Sequence, residues 1–173
     1  MEEIEVPTEH LHEQIKEKTE ELIEKGEGKS FLYIAISTAL MAVFAAIAGL
    51  LAGHHSNEAL IDQIKASDQW AYYQAKSIKA EIRLLQVTAG KEVSKSPEEE
   101  KKEAAELSKK AREFEEDSKG HLEKHVWLAR AVTLFQVAIA ISAISILTKK
   151  KMLWMVGVVI SLVGLVFFAV GVL

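Results

Sequence analysis

Hydrophobic and polar positions in this chain fall into long blocks, and one of the mixed blocks is itself divided into two apolar stripes. No charge occurs from Ser30 to Gly53, from Ala131 to Thr148 or from Met152 to Leu173. Each run is close to the roughly 20 residues that a helix needs to cross the hydrocarbon core, which predicts transmembrane helices at 30–53, 126–148 and 152–173. The segment 54–125 between the first two is mixed, and its first half, Ser56 to Ala89, carries apolar residues on two faces. Ile61, Ile64, Asp68, Ala71, Ala75, Ile78, Ile82, Leu85 and Ala89 recur at alternating spacings of three and four, as a coiled-coil seam does. Ala66, Trp70, Tyr73, Ser77, Ala80, Leu84 and Val87 follow the same rule on a second face. A helix with two such stripes needs two neighbours if both are to leave water.

One neighbour is predicted by the sequence that follows. Gly90 with Lys91 reads as a helix stop, and Ser96-Pro97-Glu98-Glu99 reads as an N-cap, a first-turn proline and a capping-box glutamate. The short link returns the next helix, 97–125, antiparallel to 56–89. Its apolar line is Ala104, Leu107, Ala111, Phe114, Ser118, His121 and His125. Folding the pair about its turn sets Leu107 opposite Ile78, Ala111 opposite Ala75, Phe114 opposite Ala71, and Ser118 opposite Asp68 in a polar core layer. The expected fold class is therefore all-α: three transmembrane helices with a long antiparallel extramembrane hairpin between the first and second. On this register the first stripe is used by the returning helix. The second has no taker within the monomer, so Trp70, Tyr73, Ala80, Leu84 and Val87 are expected to meet another copy. In the membrane, Ala42, Ala46 and Gly49 belong to a line of small residues that lets a second backbone approach closely, and Gly157, Gly164 and Gly171 form another such face in the third helix.

The acidic N-terminal tail, 1–29, is expected to be partly helical, with Thr8 as a cap and a thin stripe of Leu11, Ile15 and Leu22. Its lysines, Lys16, Lys18, Lys25 and Lys29, precede the first span, and Lys149-Lys150-Lys151 precede the third. The rule that positive residues stay inside then places the N-terminus in the cytoplasm and the hairpin and C-terminus in the periplasm.

Composition narrows the chemistry. The 173 residues include no cysteine and carry a net charge of -4. Thiolate metal sites are thereby excluded, and no basic patch with interleaved aromatics invites nucleic acid. His121 and His125 stand one helical turn apart and His54, His55, Glu58 and Asp62 are expected near them, a set of side-chain types suited to zinc or another divalent ion. Asp68, Ser118 and His121 match a hydrolytic triad only in residue type, because a two-helix hairpin offers no pocket or oxyanion hole. No phosphate loop, dinucleotide fingerprint or cofactor motif occurs. The charge-free membrane runs hold only such polar groups as Ser37, Thr133, Gln136 and Ser142, with Arg130 at a border of the second span, so proton-coupled transport is disfavoured. A pore lined by serine, threonine and glutamine in an oligomer is an alternative.

Val6-Pro7-Thr8-Glu9, Ala52-Gly53-His54-His55, the run Ile64 to Lys76 with its Asp68-Gln69-Trp70-Ala71-Tyr72-Tyr73-Gln74 core, and Leu128 to Gln136 together resemble a bacterial membrane family, domain of unknown function 4337. The resemblance spans nearly the whole chain. It implies a bacterial envelope protein with three membrane helices and supplies no activity or cofactor. The sequence thus points to a non-enzymatic, homo-oligomeric structural or interaction protein of the bacterial inner membrane. Its partners would be the lipid bilayer, further copies and an unidentified envelope protein. A channel and a metal-responsive sensor are the alternatives.

Overall fold

The computed structural model describes residues 28–173; the expected tail helix and the Val6–Glu9 segment lie outside them. Three helices account for nearly all of these residues: α1 (Gly28–Thr88), α2 (Pro97–Thr148) and α3 (Lys151–Val172). No strand occurs among the described residues. All three helices are long and apolar enough to cross a membrane. Only 17%, 28% and 17% of their most apolar windows is buried within the chain, so most of that surface is left for lipid or for other protein.

The helix ends follow from local chemistry. Gly90 takes a φ of 75°, which a Cβ would oppose, and this lets Lys91 N donate to Gln86 O and Gly90 N to Val87 O, the paired bonds of a Schellman cap. At the start of α2, Glu99 N donates to Ser96 Oγ and Ser96 N donates to Glu99 Oε2, a reciprocal capping box, with Pro97 in the first turn. Lys149, at φ 55°, turns the chain from α2 into α3. Ser145 Oγ donates to Lys150 O across that turn at 3.0 Å.

The described residues form two compact units. One comprises residues 28–47 with Arg130–Val166, the other Ala48–Ala129 with Phe167–Leu173. In the first, Ile34 and Met41 of α1, Ala131, Phe135, Ala138, Ser142 and Ser145 of α2, and Gly157 and Gly164 of α3 are buried. Phe44 stacks on Phe135 with ring centroids 6.0 Å apart. Ser37 Oγ donates to Ile34 O and accepts from Trp154 Nε1 at 3.0 Å, so these polar groups are satisfied inside an apolar unit. The small-residue face of α3 is used within the chain. A Cβ on Gly157 would come within 3.0 Å of Ala138 O, which shows how closely the two backbones approach.

In the second unit α1 and α2 run antiparallel, with His125 at Ala52, His121 at His55, Ser118 at Ala59 and Glu100 at Arg83. The line of α2 toward α1 is the expected one: Ala104, Ala111 and Ser118 are buried, with Leu107, Phe114, His121 and His125 half-buried between them. The register and the face of α1 both differ from expectation. Ser118 Oγ donates to Ala59 O at 2.8 Å, nine residues from Asp68, its expected opposite. Phe114 lies under Lys65 Nζ at 5.4 Å, not opposite Ala71.

Two physical features explain the shift. Within the second unit the buried residues of α1 are Ala48, Ala52, Ala59, Asp62, Ala66 and Ala80, so small side chains face the alanines of α2 and the backbones approach closely, in place of the expected large-against-small packing. Glu100, 2% exposed, holds Lys76 Nζ at 3.1 Å and Arg83 Nη2 at 3.2 Å. Those charges fix α2 one turn in from its start against Lys76 and Arg83, so the last turn of α1 runs past the start of α2 and leaves Leu84, Leu85 and Val87 exposed. The stripe assignment is thereby reversed. Trp70, Tyr73 and Ala80 turn toward α2, while Ile61, Ile64, Ile78 and Ile82 turn away from it.

Candidate functional site

Three groupings in the second unit merit chemical scrutiny: the outward ridge of α1, the histidines, and the charge layer near the turn. The ridge consists of Ile61, Ile64, Ile78, Ile82 and Leu85, which are 43%, 54%, 60%, 49% and 69% exposed. Asp68, Ala71 and Ala75 sit exposed between them. In heptad terms this line lies roughly 150° round α1 from the line that faces α2. These side chains form an apolar stripe that the chain itself leaves uncovered.

On the other side, three of the residues expected at an oligomer contact, Trp70, Tyr73 and Ala80, pack within their own chain. Trp70 Nε1 donates to Glu115 Oε1 at 2.9 Å, Tyr73 meets the Trp70 ring edge-on with centroids 5.5 Å apart, and Ala80 is 1% exposed. Leu84 and Val87 are exposed, as are Ala42, Ala46 and Gly49. Between α1 and α2, Tyr73, Ser77, Ala80, Ala104, Ala105 and Ser108 line a groove of about 380 Å³. Glu81 and Lys101 line it as well.

The expected polar layer divides. Ser118 is in the core and bonds Ala59 O, but Asp68 is exposed on the ridge side, which removes the residue-type triad as well. The charged layer in the structure is Glu100 with Lys76 and Arg83, extended by Glu103, which accepts from Lys76 at 2.6 Å and from Lys95. Hydrogen bonding to Lys76 lowers the Glu100 carboxyl, and bonds to Lys76 and Lys95 lower Glu103 to about 2. The same bonds raise the Lys76 ammonium. No motif signals this layer in the sequence, since each residue looks like part of a solvated charge run.

The candidate metal ligands take separate partners. His121 Nδ1 lies 2.9 Å from His55 Nδ1, so one ring donates and the other, necessarily neutral, accepts. His125 Nδ1 donates to Ala52 O at 2.8 Å. Asp62 accepts from Lys65 at 2.9 Å. No three histidine, aspartate or glutamate side chains among the described residues are grouped to hold a metal ion, so His121, His125, Glu58 and Asp62 do not converge as expected. Burial, followed by the neighbouring His121, His54 and Lys124, lowers the His55 imidazole. His55 was expected near the histidines; its bond to His121 was not, because the register decides it.

No curated protein and no solved structure matches the chain. One family model does, over residues 31–173, leaving Val6–Glu9 outside the match. With three long helices apolar enough to span a membrane and a match over most of its length, the chain belongs to the family described as Domain of unknown function (DUF4337).

Proposed function

We propose that this protein is a homo-oligomeric structural component of the bacterial inner membrane, a scaffold and not an enzyme. Its three helices span the bilayer, and the paired segment of α1 and α2 stands outside it as an extramembrane hairpin. The N-terminus lies in the cytoplasm, and the hairpin and C-terminus in the periplasm, the arrangement that the positive residues beside the first and third spans favour. The observation that carries the reading is the outward ridge Ile61, Ile64, Ile78, Ile82 and Leu85, half exposed or more at most positions in a segment otherwise rich in charge. Copies in one membrane share an orientation and a height, so a ridge on each meets its neighbours without further alignment. The exposed Ala42, Ala46 and Gly49 offer close backbone approach inside the bilayer.

The test is the mass of the full chain purified in mild detergent and exchanged into lipid nanodiscs. A discrete multimer is expected. A monomer in both environments overturns the scaffold reading.

A further inference from the structure

We propose that the basic turn Lys149-Lys150-Lys151 between α2 and α3 binds the phosphate headgroup of an anionic phospholipid, with the acyl chains lying along Leu147 and Met152. The proposal rests on the reading that the three helices span the bilayer, and it names the lipid class that meets one end of them.

Charge is the first observation. Among its described residues the first unit carries Lys29, Arg130, Lys149, Lys150 and Lys151 and no aspartate or glutamate. A counter-anion for the exposed Lys150 and Lys151 therefore comes from outside that unit. The turn is also held in one shape. Lys149 takes a φ of 55°, Lys149 N donates to Ile146 O, and Lys150 O accepts from both Ser145 Oγ at 3.0 Å and Leu153 N at 3.1 Å. Three lysine side chains thus leave one tight, well-tied reversal. Because α3 starts at Lys151, the positive end of its dipole faces the same side. Ammonium groups and the first N–H groups of a helix are both favourable partners for a phosphate oxygen.

The surroundings select a lipid over other anions. Leu147 and Met152 flank the lysines and are 84% and 76% exposed. A free phosphate or an acidic peptide segment would cover the ammonium groups and leave both aliphatic side chains in water. A phospholipid covers the charge with its headgroup and the aliphatic carbons with its chains. The level fits as well. Trp154 Nε1 donates to Ser37 Oγ, while Phe135 stacks on Phe44 and lies against Gly164, so α1 and α3 run in the same direction. Tyr33 lies about 6 Å before Ser37 along α1, and Lys151 about 4.5 Å before Trp154 along α3. The exposed Tyr33 and the lysines therefore stand at nearly one height, as the aromatic and cationic belt of a membrane–water interface does.

The test is native mass spectrometry of the full chain in mild detergent, offered equal amounts of phosphatidylglycerol and phosphatidylcholine with identical acyl chains. Each lysine beside an anionic headgroup strengthens binding by about fivefold, so phosphatidylglycerol is expected to be bound in at least about tenfold excess. The triple variant Lys149→Gln, Lys150→Gln, Lys151→Gln is expected to bring the ratio close to one, and arginine at the same three positions to keep the excess. A second triple variant, Lys101→Gln, Lys102→Gln, Lys110→Gln, removes the same charge from exposed positions of the paired segment and is expected to leave the excess in place. Equal binding of the two lipids by the unaltered chain overturns the proposal. So does an excess that survives glutamine at the turn, or one that both triple variants abolish alike. Should glutamine at all three turn positions unfold the chain by far-UV circular dichroism, Lys151→Gln alone decides, with a loss of about fivefold expected and no loss refuting the site. A chain that stays in solution once detergent is removed removes the membrane-spanning reading together with this one, whereas a chain retained by membranes without lipid preference overturns the lipid site alone.

Discussion

Replacing each buried glycine of α3 by alanine tests how closely α3 approaches α2. Alanine removes the helix-propensity penalty of glycine, a gain of about 1 kcal/mol in an open helix interior. Against that stands overpacking, about 1–3 kcal/mol where neighbours cannot move. At Gly157 the new Cβ would lie 2.9 Å from Ser142 Oγ and 3.0 Å from Ala138 O, and the second atom is backbone. The helices must part, and a net loss of about 1–2 kcal/mol is expected. At Gly171 the Cβ meets Leu128 Cγ at 2.8 Å and Leu128 N at 3.2 Å, and Leu128 is fully buried, so the expected net loss is about 1 kcal/mol. At Gly164 the nearest atoms, Leu134 Cβ and Phe135 Cε1, are at 3.3 Å, and small shifts leave the balance within about 0.5 kcal/mol of zero. Gly120, with nothing within 4 Å, is the control and should gain about 0.5–1 kcal/mol. Unfolding in mixed micelles by added sodium dodecyl sulfate, followed by far-UV circular dichroism, gives the four values. Equal losses at all three α3 positions, or a Gly157→Ala variant as stable as Gly120→Ala, would refute the close approach.

Two pH effects should separate on the scale. The lowered imidazole of His55 means that the unfolded chain binds the proton more tightly, so this contribution is fully present above the unfolded value of 6.5 and is lost as pH falls below it. The thermal midpoint should decline through that range, and His55→Asn should flatten the decline; an unchanged slope would count against the burial of His55 beside His121. Glu103 is depressed from 4.5 to about 2, so its contribution is present above 4.5 and disappears as pH falls toward 2. Glu103→Gln should remove part of this lower step, a result visible in the same titration and absent if the Lys76 and Lys95 contacts do not form in solution.

The parts of the fold legible in the sequence were those set by local chemistry. Charge-free runs announce long apolar helices, Ser96-Pro97-Glu98-Glu99 announces a reciprocal cap, and Gly90 announces a left-handed stop. The inward line of α2 was legible too, because that helix has a single apolar face. On α1, with two stripes, hydrophobicity states that a face should leave water and is silent on what covers it. Folding the pair symmetrically about its turn, with large residues opposite small ones, assigns the isoleucine-rich stripe to α2, and that register is the one the structure departs from.

What decides between the stripes is contact at short range. Ala59, Ala66 and Ala80 let the α2 backbone come close to α1, which isoleucine at those places would prevent. Glu100 then locks the register, because sliding α2 by a turn would leave a carboxylate that is 2% exposed without Lys76 and Arg83. Small side chains and a buried charge thus settle the intramolecular pairing, and the larger aliphatic residues are released to face outward. The same division extends to the candidate site: the alanines that bring α1 and α2 together also help line their groove, and the isoleucines excluded from the pairing form the ridge. Intramolecular pairing and the exposed ridge are therefore two consequences of one placement of small and large residues on α1.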